Sequence, residues 1–481
     1  MPRSKSTKLF SEITDFFSSS EKAINKTIEL YKVIKTSSIK ISNVRNYPCE
    51  YKKGDLFFLL LLMPLFSIKN VKQYLSSSLS KYIESSKDAL YRFKNNPNVK
   101  WRETAYSVNN CIMKRIEENG TIDSSMPKCL IVDDSDLPKK GKFIEHISRV
   151  WSHVKNGSLL GFKGLFLTYW DSKSLIGLDF TLQKEIGKNN KYPFGLKPGE
   201  YKKQYKKKRE KNSAGQLRVN EILNNKIDNA IRMIKRAHRY KIAFSYVLMD
   251  SWFLCDKIIK QVCKLGVDVI GMSKIGKAKY TYKTKERTAK QIVDDLRKSG
   301  KIRWVKRLKL YVTESIVEYK GVKLRIYFCR NTKRGKWHLL VSTNTNHSII
   351  QAYEIYAIRW GIEVFFKESK QHFGLGKSQS RDFDAQIADT TLSMLQFNIF
   401  SLAKRFNSYE TLGGLFEQAK DSIIELTVCK RIWGFFKEVI NLIGELFEIE
   451  PEELITKIIT ENNINDNKLL KLLQSEVLKA A

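Results

Sequence analysis

Apolar and polar positions along this 481-residue chain change rhythm several times. Residues 1–110 carry helical spacing with polar punctuation and little alternation, which predicts a small all-helical N-terminal module. Its most apolar run, Leu56 to Phe66, is interrupted by Pro64 and falls well short of the roughly 20 residues needed to span a bilayer, so it reads as a buried helix. From Lys128 the texture turns to strands: CLIVDDSD is an apolar run ending in acids, and GLFLTYWD and LIGLDFTLQ have the length and residue types of paired strands. Ser213 is placed as the N-cap of one long helix through QLRVNEILNNKIDNAIRMIKRAHRY. A second apolar run ending in an acid, FSYVLMD, follows, then a helix over DKIIKQVCKL and a short strand, VDVIGMS. Strand, strand, strand, helix, strand, helix, strand is the order of a ribonuclease-H-like α/β core.

Between Gly276 and Asn346 the rhythm changes again. KAKYTYKT, KIRWVKRL, LYVTESIVEY, VKLRIYFCR and WHLLVSTNT alternate polar and apolar residues around glycine-containing turns, so this stretch predicts a mainly β insertion. Helical spacing returns from Tyr353 to Lys370 and through IADTTLSMLQFNIFSLAKRF. The expected organisation is therefore multidomain α/β. A helical region covers 1–110, a catalytic core covers 125–274 and 347–406, a β-rich insertion covers 275–346, and a helical region covers 407–481.

Charge changes the picture. Lys and Arg number 86 against 50 Asp and Glu, a formal net charge of +36. So much positive charge repels itself unless a polyanion relieves it, and nucleic acid is the natural partner. A lysine-rich genome that makes every surface basic is the competing explanation, and a membrane surface is a distant third. Against this background the stretch SSSLSKYIESSKDALYRFKNN could lay a helix across a DNA backbone, although most small helical domains do no such thing. The loop YKKQYKKKREK (Tyr201 to Lys211) is as well explained by solvation as by phosphate contact. Seven cysteines without a C-x-x-C pair read as reduced thiols in a cytosolic protein, and the start of the chain lacks the apolar core of a signal peptide.

The chemistry concentrates on acids. Asp133 ends the CLIV strand and Asp250 ends FSYVLM, and strand ends of an open α/β sheet are where ligands usually sit. Two such carboxylates in a basic protein suggest a metal site on a nucleic-acid surface, because carboxylates repel phosphates unless a cation stands between them. In Asp133-Asp134-Ser135-Asp136 the first acid is the preferred ligand, since alternation along a strand would turn Asp134 to the other face. In YAIRWGIEVFFKESK the residues Tyr356, Arg359, Glu363 and Lys370 fall within a roughly 60° arc of one helix. By spacing alone, ordinary pairing of Arg359 with Glu363 explains that stripe at least as well as a site does.

The same pattern, Y-x2-R-x3-E-x6-K, resembles the Tyr-Arg-Glu-Lys signature of the IS-four family of bacterial insertion-sequence transposases, of the DDE class. The resemblance runs from about Lys128 to Phe406, through both aspartate strands, the β insertion and the Glu363 helix. It implies a catalytic and metal-binding triad of Asp133, Asp250 and Glu363, with Tyr356, Arg359 and Lys370 positioning DNA phosphate. It also implies two Mg²⁺ ions, for which Mn²⁺ can substitute. The implied activity is cleavage at terminal inverted repeats of double-stranded DNA and strand transfer into target DNA by a cut-and-paste route. A homodimer in the DNA complex, assembled through 407–481, and a location in the bacterial cytoplasm at the nucleoid come with it. Related enzymes stack an aromatic of the insertion on a flipped base; Trp304 and Trp337 are the candidates here, although either one singly reads more readily as a strand-core residue. A catalytically silent DNA-binding descendant and a nuclease that only hydrolyses DNA are the alternatives. The six histidines are scattered and receive no role.

Overall fold

The computed structural model describes residues 51, 53–64, 68, 70–77, 80, 85–118, 126–187 and 189–406. The C-terminal helical region expected over 407–481 and the first 50 residues of the N-terminal module lie outside them. The chain divides into two compact units, one of Ile34–Phe57 and Asp88–Ser408, the other of Met1–Val33, Phe58–Lys87 and Tyr409–Ala481. The helix Lys53–Leu62 stops before Pro64, as a residue that removes a backbone donor requires. In the second unit Leu59, Leu61, Val71 and Tyr74 are buried, and Asn70 caps the short helix Val71–Tyr74 by accepting from the Gln73 N–H.

The first unit is built on a mixed sheet. Its strands are β1 (Cys129–Pro138), β2 (Ser148–Ser152), β3 (Gly157–Trp170), β4 (Leu175–Gln183), β5 (Tyr246–Met249), β6 (Asp268–Ser273), β7 (Lys279–Tyr282), β8 (Lys285–Thr288), β9 (Arg303–Val305), β10 (Leu310–Tyr319), β11 (Val322–Arg330) and β12 (His338–Ser342). The order is β2-β3-β1-β5-β6-β12-β11-β10-β7-β8, with β4 also pairing β3 and β9 pairing β10. β3 runs antiparallel to both β1 and β4, whereas β5 runs parallel to β1 and β6 parallel to β5. Parallel neighbours need crossovers, and the helices Lys226–Arg239 and Asp256–Cys263 supply them. Helices cover both faces, which is why CLIV and all of β4 are buried.

Gly177 shows how closely the layers approach. A Cβ there would lie 2.5 Å from Met394 Cγ. The Gly177 carbonyl accepts from Asn109 Nδ2 and Asn398 Nδ2, both at 2.8 Å, and its N–H donates to Asn398 Oδ1 at 2.7 Å. These buried amides join β4 to the helices Trp101–Glu118 and Phe383–Phe406, satisfying backbone groups beside a register shift in the β3–β4 ladder.

Four details depart from the sequence reading. β1 does not end at Asp133 but continues to Pro138, because β3 goes on pairing with it after β5 has stopped. A short strand, β2, precedes β3. The long helix expected from Ser213 is two helices, Ala214–Asn220 and Lys226–Arg239, each with its own side-chain cap, Ser213 and Asn225. The segment 275–346 contains a helix, Ala289–Lys298, packed through Ile292, Val293 and Leu296 on Leu324, Ile326 and Phe328. Its strand β12 hydrogen-bonds to β6, so the central sheet continues into this segment.

Candidate active site

Two strands and one helix assemble the site. β1 and β5 pair in parallel through Val132 and Met249, the last matched positions, so Asp133 and Asp250 are the next residues along neighbouring strands. The third acid lies on the helix Gly361–Gln371, which packs against β1 and β4. The signature stretch is not one uniform helix: Tyr356 closes Ile349–Ala357, Arg359 sits in a 3₁₀ turn Ile358–Trp360, and Glu363 and Lys370 follow in Gly361–Gln371. All four side chains still reach the same region.

Arg359 Nη1 donates to Asp133 Oδ2 at 2.9 Å and to Glu363 Oε1 at 3.5 Å, bridging strand and helix. Asp250 Oδ1 is held by the N–H groups of Trp252 and Phe253 at 2.9 and 3.3 Å, a turn that aims the carboxylate from the strand end. Burial and the charge of Asp250 push the Asp133 carboxyl up to about 7, against the pull of the Asp134 N–H and of Arg359. Burial raises the Tyr356 hydroxyl and lowers the Lys370 ammonium. Lys370 Nζ donates to Ser135 Oγ at 2.7 Å.

Strand alternation sorts the Asp-Asp-Ser-Asp run. Asp133 and Ser135 reach Arg359 and Lys370, while Asp134 accepts from Lys226 Nζ at 2.6 Å and Asp136 pairs with Lys163. The sequence reading missed Lys226 and its neighbour Trp252. The ammonium lies 4.4 Å from the Trp252 ring centroid, and Trp252, 45% exposed, directly follows the Asp250 turn. Trp360, 66% exposed beside Arg359, was missed as well. An aromatic one or two residues from a site acid or arginine was the available signal.

The two tryptophans of the insertion differ from each other. Trp304 is half exposed with its ring 4.7 Å from that of Tyr311. Trp337 packs on the core of the insertion, edge-on to Phe328 and under the Arg330 guanidinium at 4.1 Å. The basic loop is split residue by residue. Lys207 pairs with Asp382 and Asp384, and Arg209 with Glu145 and Asp384, while Lys206 and Lys208 between and before them are exposed. Two of its cations therefore serve the interior.

With this geometry established, two families match the chain. One, described as a transposase DDE domain, matches residues 224–398, and the other, a DDE superfamily endonuclease, matches residues 61–282. The first range contains Asp250 and Glu363, the second Asp133 and Asp250. The chain carries a domain of the DDE transposase/endonuclease superfamily. The protein is accordingly an enzyme with nuclease or transposase activity, and DNA is its substrate class. No curated protein matches the chain. Among solved structures, the NurA nuclease from Sulfolobus solfataricus is similar at 11% identity over 53% of this chain and 81% of that one, with a TM-score of 0.23, too low to bear on fold or function. Among the described residues no helix is long and apolar enough to cross a membrane.

Enzymes of the DDE superfamily generally use divalent metal ions. Among the described residues no three His, Cys, Asp or Glu side chains lie close enough together to hold one ion; here the Arg359 guanidinium bridges two of the acids. The donors nevertheless suit a hard cation, being three carboxylates delivered from rigid elements. The electrostatics point the same way, because burial together with the charges of Asp250 and Glu363 raises the Asp133 carboxyl, and a bound cation would oppose that rise.

Proposed function

We propose that the DDE domain is that of an insertion-sequence transposase of the IS-four type, cleaving terminal inverted repeats of double-stranded DNA and joining them to a target by a cut-and-paste route. The observation that carries this reading is the register of β1 and β5, which places Asp133 beside Asp250, with Arg359 tying Asp133 to Glu363. The strand order β4-β3-β1-β5-β6, three antiparallel and then two parallel, supports a ribonuclease-H-like core.

In this reading Asp133, Asp250 and Glu363 hold two Mg²⁺ ions, with Mn²⁺ as a substitute. Bound there, the cations supply activation of an attacking water or 3′-hydroxyl and stabilisation of the leaving oxygen. Arg359 can grip a phosphate through two parallel N–H donors, an interaction a lysine cannot copy. Its present bond to Asp133 would be exchanged for that phosphate. Lys370, lodged beside Ser135, adds a fixed positive charge, and Tyr356 offers a hydroxyl that burial keeps protonated. Trp304, exposed where Trp337 is packed, is the better placed of the two for base stacking. The helical residues before 110 are assigned to DNA binding and residues 407–481 to dimerisation in the DNA complex.

The test uses full-length protein and a duplex bearing the end of its own element with flanking DNA. With Mg²⁺ the wild type should nick at the element boundary, form a hairpin and yield joined products; EDTA should abolish all three. Glu363→Gln should keep DNA binding and lose cleavage by at least about 10³-fold. Cleavage that persists in this variant would refute the triad, and cutting without joining would reduce the protein to a nuclease.

A further inference from the structure

A second polar constellation lies apart from the three acids. Four helices, Phe383–Phe406 among them through Asp384 and Ile387, line a cavity of about 760 Å³ and share none of its wall with the carboxylate site. Trp101–Glu118 contributes Arg102, Ala214–Asn220 contributes Arg218, and Lys226–Arg239 contributes Arg232, Arg236 and Arg239, whose spacings of four and three put them on one face.

The charges do not balance. Asp179, buried on β4, accepts from Arg102 Nε at 2.9 Å and from Arg236, and Glu221 accepts from Arg102 Nη1 and Nη2 at 2.9 and 2.7 Å. Arg218 is the third guanidinium on these two acids, its Nη1 3.8 Å from Asp179 Oδ1. It is 6% exposed, stacked 4.4 Å over the Phe180 ring, and its Nη1 donates to the Phe180 carbonyl at 2.6 Å and to Glu221 at 3.5 Å. Its Nε and Nη2 are buried with no hydrogen-bond partner. Among the described residues neither Arg232 nor Arg239, both exposed at the rim, makes an ion pair.

Buried donors without acceptors are rare in folded proteins, and each such group calls for an explanation. A purely structural network would match three guanidiniums with three acids, or would leave the spare one in water. A cavity of this size is in the range that takes a small molecule, and planar guanidinium forks suit phosphate oxygens. The depth of Arg218 favours a phosphate that protrudes, on a free molecule or at the end of a strand, over one flanked by sugar on both sides. We propose that this cavity is a second anion site taking a terminal phosphate group, on a free nucleotide or on a DNA strand end, independent of the carboxylate cluster.

Pyrophosphate titrated into the full chain at constant ionic strength, without divalent cation, tests the site by calorimetry and thermal melting. Saturable binding of one molecule per chain is expected, with a raised melting midpoint. Arg232→Gln/Arg239→Gln, whose rim residues make no ion pair, should melt like the wild type without ligand yet bind at least about ten-fold more weakly. The matching double lysine variant should fall between the two, and Glu363→Gln should bind like the wild type. No saturable binding, or binding untouched by the rim variant, or binding lost in Glu363→Gln would overturn the proposal. A 5′-phosphorylated single strand, its 5′-hydroxyl counterpart and a nucleoside monophosphate distinguish the sources. A preference for the phosphorylated strand that the rim variant loses identifies the strand end, whereas binding of the mononucleotide alone identifies the free ligand.

Discussion

Asp133, half-buried, and Asp179, fully buried, lie on one sheet, both touching arginine, and they are driven in opposite directions. Burial raises both. At Asp179 the guanidiniums of Arg102, Arg236 and Arg218 outweigh it and bring the carboxyl down to about 2. At Asp133 burial is joined by the charges of Asp250 and Glu363, and Arg359 with one backbone N–H cannot compensate, so the carboxyl stands at about 7. The sign of the surrounding charge decides the outcome. An acid over-supplied with cations holds a fold together, while an acid crowded by other acids is poised for a cation that the chain itself does not provide.

The comparison can be broken most severely from the Asp179 side. Asp179→Ala leaves Arg102, Arg218 and Arg236 to share Glu221, and removing one partner of a buried pair costs about 3–5 kcal/mol. Urea unfolding should show that loss; a loss below about 1 kcal/mol would mean the network is solvated and unimportant to folding. Asp133→Asn should act in reverse. With no divalent cation present it removes a repelled carboxylate, so stability at pH 8 should rise by about 1–2 kcal/mol while cleavage disappears. A destabilised Asp133→Asn would show that Arg359 already balances the site.

pH sharpens the same contrast. The folded state holds the Asp133 proton up to about 7, against 3.8 for the ordinary carboxyl. Its contribution to stability is thus full below about pH 4 and is lost as pH rises to about 7. Asp179 is the mirror case: its contribution is present above about pH 4 and fades as pH falls toward 2. The difference in unfolding free energy between metal-free wild type and Asp133→Asn should therefore widen from pH 4 to pH 7, and millimolar Mg²⁺ should narrow it again, since a ligand of the native state stabilises it. A flat difference across that window would remove the claim that Asp133 is held protonated.

Much of the carboxylate site was legible because its carriers obey simple periods. CLIV and FSYVLM are buried on both faces and so read as unbroken apolar runs, and the spacing of Tyr356, Arg359, Glu363 and Lys370 survives the 3₁₀ turn because that turn continues the helical path. Other elements had signals that went unread. Thr288 and Gln291 form a capping box that opens the helix Ala289–Lys298 inside a stretch of strand-like alternation, and Asn225 caps the second of two helices that share one apolar period. The alternation in KKKRE carried the inward turn of Lys207 and Arg209, though nothing local named their partners at Glu145, Asp382 and Asp384.

Periodicity and local chemistry, both properties of neighbouring residues, determined which segments are strands, which acids end apolar runs and which side chains share a helix face. Pairings between distant segments were decided by tertiary structure alone. The register of β1 on β5 puts Asp133 beside Asp250, and the meeting of Asp179 with Arg102, Arg218 and Arg236 turns an unremarked aspartate in LIGLDFTLQ into the anchor of an arginine-lined cavity. The physical reason is that a buried charge takes its character from the summed field of groups brought near it in space, and that sum is undefined until the chain has folded.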